Sequence, residues 1–161
     1  QGKSGELWLR GAAVIKGYLN QEAATAETIT DGWLHTGDVA RIDEHGFIFI
    51  VDRVKDMVLR GGENVYCSEV EAVLHKLDEI AECSVFGVED ARLGEEVGVS
   101  IYLKPGADIS ADSIREFCLV HMAKYKSPRY IWFSQEPLPR NASGKFLKRE
   151  LRDTLIVADA V

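Results

Sequence analysis

The sequence predicts an α+β fold, with a small mixed β-sheet and covering helices preceded by a short, mostly-β piece. Three observations carry this. From Cys67 onward, helical apolar stripes alternate with strand-like runs, the pattern of one sheet covered by helices. The first fifty residues instead hold short β-favouring runs separated by turn residues. A chain of 161 residues with 46% hydrophobic content can also bury a packed core.

The elements follow in order. "ELWLR" (6–10) and "GFIFIVD" (46–52) read as strands, rich in β-favouring side chains, with glycine near their ends. "TDGWLHTGD" (30–38) and "DEHG" (43–46) read as turn material, and "NQEAATAETI" (20–29) as the one helix of this part. Charges cluster in "VDRVKDMVLRGGEN" (51–64), where a strand ends and two glycines follow. The boundary is expected there, giving residues 1–54 and 55–161. Gly61 and Gly62 supply backbone freedom that suits a hairpin turn.

"SEVEAVLHKL" (68–77) predicts a helix. Val70, Val73, Leu74 and Leu77 form an apolar stripe, and Ser68 with Glu71 has capping-box spacing. Two strands are expected in "IAECSVFGV" (80–88) and "EVGVSIYLK" (96–104). A second helix follows, with Ile114, Phe117, Cys118, His121 and Met122 on one face; His121 reads as a core or boundary residue. A short strand in "RYIWFSQ" (129–135) precedes the loop "EPLPRNASGK" (136–145). "FLKRELRDTLI" (146–156) closes as a helix, with Leu147, Leu151 and Leu155 four apart.

Composition excludes several classes. No run of eighteen apolar residues is present, so no membrane span is expected, and the opening "QGKSGELWLRG" lacks the blocks of a signal peptide. Cys67, Cys83 and Cys118 are odd in number and widely spaced, which points to buried thiols and a cytoplasmic address. His35, His45, His75 and His121 show no metal-ligand spacing, so no metal site is expected in the chain.

The net charge of −7 is unevenly spread. Between Lys124 and Arg152, eight basic residues face Glu136 and Glu150, leaving that stretch at +6 and the rest of the chain at −13. "YIWFSQEPLP" interrupts the positive stretch and reads as folded, so the patch suits phosphates on a small molecule rather than nucleic acid. A solvated helix face is the competing use of the charges beyond Lys145.

Four stretches occur in one order: "GWLHTGD" (32–38), "DRVKDMVLRGGEN" (52–64), "SEVEAVL" (68–74) and "PRNASGK" (139–145). Together they resemble the C-terminal third of the adenylate-forming superfamily of acyl-CoA synthetases, adenylation domains and luciferase. The resemblance covers essentially the whole chain. It implies that residues 55–161 are the C-terminal mobile lid domain and residues 1–54 the last β portion of a large N-terminal domain. No "SGTTGxPK"-like phosphate loop is present. "SGK" is not a Walker loop either, since Pro139 stands where that pattern needs glycine.

The resemblance implies an AMP-forming acid–thiol ligase that activates a carboxylic acid with ATP and its Mg²⁺, then passes the acyl group to CoA. The chain's own missing N-terminal domain is the implied partner, and the fragment alone is expected to be inactive. Loading of a carrier protein is the alternative within the family; a non-catalytic nucleotide- or partner-binding module is the alternative outside it. Residue by residue, Asp38 and Arg53 match the groups that reach the ribose, and Ile50 lies near the nucleotide. Their competing uses are a turn aspartate and a structural ion pair.

Lys55 matches the hinge position. In the thioester-forming state Gly62, with Glu63 and Asn64, is expected to face the pantetheine tunnel, where a side chain would block the thiol. Lys126 and Arg129, with Lys124, are expected to meet CoA phosphates. Lys145 matches the adenylation lysine, a cation aimed at two anions brought together. Many family members have threonine where this chain has Asn141, and similar loop hydrogen bonds are expected from it.

Overall fold

Residues 2–161 are described by a computed structural model, which divides into two units, Gln1–Lys55 and Asp56–Val161. In the first unit, strands β1 (Ser4–Leu9), β2 (Ile29–Thr30), β3 (Trp33–Ile42) and β4 (Ile48–Arg53) form an antiparallel sheet. Helix α1 (Glu22–Thr28) precedes β2. Strand β3 pairs with each of the other three.

The stretch "TDGWLHTGD" is therefore largely strand, not turn. The turn is confined to Asp31 and Gly32, with φ of +52° and +77°. Long-range pairing decides the rest: Leu34 lies opposite both Leu9 and Ile29, and the His35 ring stacks on Trp8 at 4.0 Å. Val39 and Ala40 are the buried hydrophobic residues of this unit among those described, whereas Trp8, Phe47, Phe49 and Ile50 are exposed. So large an apolar surface on so small a sheet is unusual for a free-standing domain.

The second unit is a mixed sheet with helices on both faces, as the α+β reading predicts. Its elements are β5 (Val58–Arg60), β6 (Glu63–Val65), α2 (Cys67–Leu74), β7 (Ile80–Asp90), β8 (Gly94–Leu103), α3 (Ala111–His121), β9 (Tyr130–Ser134) and α4 (Lys148–Thr154). The order β6-β5-β8-β7 is antiparallel, and β9 joins β8 in parallel. Alternation along the long strands divides the core. Cys83, Val85, Val97, Val99, Ile101 and Ile131 pack with Val70 and Leu74 of α2 and with Ile114 and Cys118 of α3. Phe86, Val88 and Trp132 face the other way, against Leu138 and Leu151.

Three local expectations are corrected. The Ser68–Glu71 capping box does not open α2: the helix starts at Cys67, its N-cap Tyr66 makes no side-chain cap bond, and the Glu71 carboxylate accepts the Val85 amide at 2.9 Å instead. His121 is exposed at the end of α3, its Nδ1 2.9 Å from the Phe117 carbonyl oxygen, because the helix face turns outward there. The closing helix is shorter than its leucine spacing suggests, with Leu147 and Leu155 serving as its caps.

Lys148 departs from the competing reading of a solvated basic face. Its Nζ donates to Glu71 Oε1 and to the Val85 carbonyl, both at 2.9 Å, which ties α4 to α2 and β7. Burial pushes its pKa down, but the acidic neighbours Cys67, Glu71 and Asp56 outweigh that, and the value ends above the ordinary lysine range. A raised folded value means that the pair's stabilisation is complete below the unfolded pKa of about 10.4 and fades as pH rises through the folded one. Lys148→Met should cost about 3 kcal/mol, the low end for breaking a buried pair, because about a fifth of each partner's side chain stays exposed. Urea unfolding at pH 7 measures this, and the difference should shrink as the pH is raised past the ordinary lysine range.

Candidate functional site

Lys145 projects from a loop that is ordered from within. Asn141 Oδ1 accepts the amides of Ser143 and Lys145 at 3.0 and 2.9 Å, and the Asn141 amide donates to the Lys145 carbonyl at 2.9 Å. Gly144 turns the chain at φ +80°, a conformation that costs a side-chain-bearing residue about 1–2 kcal/mol. Arg140 and Phe146 form an isolated antiparallel bridge, and the Leu147 amide donates to the Pro139 carbonyl. The asparagine thus supplies two acceptor bonds from one side-chain oxygen, the Asx geometry of a tight loop. Lys145 is exposed, and its ammonium has no ion-pair partner among the described residues.

A second feature is the hairpin joining β5 to β6. Leu59 lies opposite Asn64 and Arg60 opposite Glu63, which leaves Gly61 and Gly62 as the two-residue turn. Their φ values are +58° and +89°, the backbone of a type I′ turn, which favours glycine at both places. The two glycines differ in their surroundings. A Cβ at Gly61 would lie 3.0 Å from Leu93 Cδ2, whereas one at Gly62 would meet no atom within 4 Å. Gly62, Glu63 and Asn64 are all exposed.

The third feature is a cation-rich cleft of ≈ 630 Å³, whose lining includes Arg60, Glu96, Arg115, Lys124, Tyr125 and Arg129. Glu96 is 1% exposed and receives a forked pair from Arg60, at 2.7 Å from Nε and 2.9 Å from Nη2, with Arg129 Nη1 at 3.5 Å. The Glu96 hydrogen bond raises the Arg60 pKa above its ordinary value, against the opposing effect of burial. Of the cations assigned to phosphates, Arg129 remains about half exposed on this cleft. Lys126 is committed elsewhere: its Nζ lies 2.6 and 2.7 Å from the two carboxylate oxygens of Glu69. Glu96, Arg60 and Arg115 are not singled out by the sequence; an acid at the head of the apolar run "EVGVSI" is the signal that could have found Glu96.

In the first unit, Asp38 and Arg53 are directly opposite one another on β3 and β4, and Arg53 Nε lies 3.2 Å from Asp38 Oδ1. The structure thus brings together the two ribose candidates, in the ion pair that is also their simplest structural use. Ile50 lies opposite Ala40 and is exposed. Lys55 is exposed in the turn that follows β4, at the last position of the first unit.

Residues 69–145 match the AMP-binding enzyme C-terminal domain, and the chain belongs to the adenylate-forming superfamily. Among curated relatives it is 46% identical over 153 residues to a dioxo-octahydroindenyl propanoyl:CoA ligase of Rhodococcus jostii (strain RHA1). It is 42% identical over 151 residues to the 2-succinylbenzoate–CoA ligase of Geobacillus sp. (strain WCH70). Each alignment covers 94% of this chain and 30% of the relative. The o-succinylbenzoate CoA synthetase of Bacillus subtilis, solved with its acyl-adenylate intermediate, superposes with a TM-score of 0.85 at 37% identity, over 95% of this chain and 31% of that one. The chain spans about 30% of the length of the curated relatives it matches.

Proposed function

We propose that this chain is the C-terminal part of an AMP-forming acyl-CoA synthetase, with residues 55–161 as its mobile lid and Lys145 as the cation of the adenylation step. In such a reaction a carboxylate attacks the α-phosphate of Mg²⁺-bound ATP, pyrophosphate leaves, and the thiol of CoA then takes the acyl group from acyl-AMP. The observation that carries this reading is the Lys145 loop: an exposed ammonium with no ion pair among the described residues on a backbone fixed by hydrogen bonds to Asn141. A cation held out in that way stabilises charge that concentrates as two anions meet, and its position is set before the reaction begins.

The other residues divide the remaining work. Asp38 offers an ionised acceptor to ribose hydroxyls, and Arg53 holds it. Ile50 and its exposed apolar neighbours on the first sheet support a large N-terminal domain as the partner that covers them. Lys55 is the hinge, and Gly62 with Glu63 and Asn64 presents open backbone to the arriving thiol. Arg129 and Lys124 on the cleft receive CoA phosphates; Lys126 takes part only if it leaves Glu69.

The relatives named above as CoA ligases favour CoA over the carrier-protein alternative. Of the four cations that line the cleft, Arg60 is committed to Glu96 and Arg115 to Asp112 and the Pro128 and Arg129 carbonyls, which leaves Lys124 and Arg129 to meet phosphates. A non-catalytic nucleotide-binding module could use the same lysine on a phosphate, and acid-dependent pyrophosphate release is what separates that reading from a ligase.

The full-length polypeptide should release pyrophosphate from ATP only when an acid from a carboxylate panel is present, and should form a CoA thioester with the same acid. The 161-residue chain alone should stay at background in both assays. Robust pyrophosphate release by this chain alone would overturn the reading, as would a full-length protein that turns over with no acid and no thiol.

A further inference from the structure

The Lys145 loop is ordered from within by Asn141, but it is tied to the sheet by one carboxylate on β7. Glu82 Oε2 accepts the Leu138 amide at 2.8 Å, and Glu82 Oε1 accepts from Arg140 Nη2 at 3.1 Å. Arg140 in turn donates from Nη1 to the Gly144 carbonyl at 2.8 Å, and its guanidinium lies 3.9 Å from the centre of the Phe146 ring. Gly144 and Phe146 flank Lys145 in the chain. Leu138, at the foot of the loop, is buried with Phe86 and Trp132. One side chain therefore fixes both the foot of the loop and the arginine that spans its tip.

We infer that Glu82 is a positioning residue for Lys145, acting through Arg140. The inference rests on the proposed role of Lys145 for its catalytic meaning. A lysine stem has many rotamers and its ammonium is a point charge, so a base that shifts by a fraction of an ångström moves the cation off the developing charge. Arg140 suits this task because its planar fork can satisfy two acceptors at once, the Glu82 carboxylate on the sheet and the Gly144 carbonyl at the tip. Glu82 itself is about one-fifth exposed, so salt screens its bond to Arg140 less than it screens a fully exposed pair.

The test uses Glu82→Gln, Arg140→Gln and the double variant. Glutamine at 82 keeps an oxygen for the Leu138 amide and removes the charge that holds Arg140. In the full-length protein, hydrogen exchange at the Ser143 and Lys145 amides should accelerate about tenfold in both single variants, with β7 and β8 amides unchanged. In the full-length protein, acid-dependent adenylation should fall about 10- to 100-fold, while thioester formation from supplied acyl-adenylate stays at the parent rate.

Because the two residues form one lever, the double variant should lose no more than the worse single variant. Additive losses, equal losses in both half-reactions, or unchanged exchange at Ser143 and Lys145 would each overturn the inference. Faster exchange without slower adenylation would also overturn it. If Glu82→Gln does not fold, Arg140→Gln, at a more exposed position, decides on the same readouts. Failure of the underlying functional reading shows separately, as adenylation that survives Lys145→Ala.

Discussion

Lys145→Ala in the full-length protein should lower the rate of acyl-adenylate formation by about 10²–10³-fold or more, the scale for losing one preorganised group at a transition-state charge. Thioester formation from supplied acyl-adenylate should stay within about twofold, because the cation is needed only while pyrophosphate leaves. The structure gives this measurement a clean background. The Lys145 side chain is exposed and makes no ion pair among the described residues, so its removal should leave the urea midpoint unchanged. Lys145→Arg should recover only part of the loss, since a planar fork on a different stem places its charge elsewhere. Pyrophosphate release and thioester formation, assayed separately, check both statements. Equal damage to the two half-reactions would remove Lys145 from its proposed step.

The parts legible in the sequence are those set by local pattern. The apolar runs behind β7 and β8 read as strands from their β-branched and aromatic content, and the Val70–Val73–Leu74 stripe marks α2 without help from the rest of the chain. The Lys145 loop is legible for a similar reason: glycine, serine and asparagine before a lysine describe their own turn, and Asn141 closes it within four residues. What was not legible depends on partners distant in sequence. Lys148 finds Glu71 across 77 residues and Lys126 finds Glu69 across 57, so nothing in "KYK" or "FLKRE" distinguishes a bound ammonium from a solvated one. Strand β3 was missed for the same reason: Gly37 and Asp38 look like turn residues, but pairing on both edges overrides propensity. The same distance hides Glu82, whose carboxylate acts on a loop 58 residues away.

The hairpin glycines allow the complementary experiment, because the structure separates two reasons for having glycine. At Gly61 a side chain would press on Leu93, with a Cβ 3.0 Å from Cδ2. Gly61→Ala should therefore weaken the whole protein and slow both half-reactions alike. At Gly62 a Cβ would meet nothing within 4 Å, and the positive φ of +89° is the remaining constraint. Asparagine tolerates that region, so Gly62→Asn should cost less than about 1 kcal/mol in urea unfolding.

Gly62→Trp adds bulk to the same open space, at a strain of about 1–3 kcal/mol. It should leave adenylation within a few-fold of the parent and slow transfer to CoA by about 10²-fold or more, as expected when a reacting group is kept from its place. Gly62→Asn should fall between the parent and tryptophan, following side-chain size rather than stability. If transfer instead tracks the loss of stability across the three variants, or if tryptophan slows adenylation just as much, the bare surface at Gly62 serves only the turn.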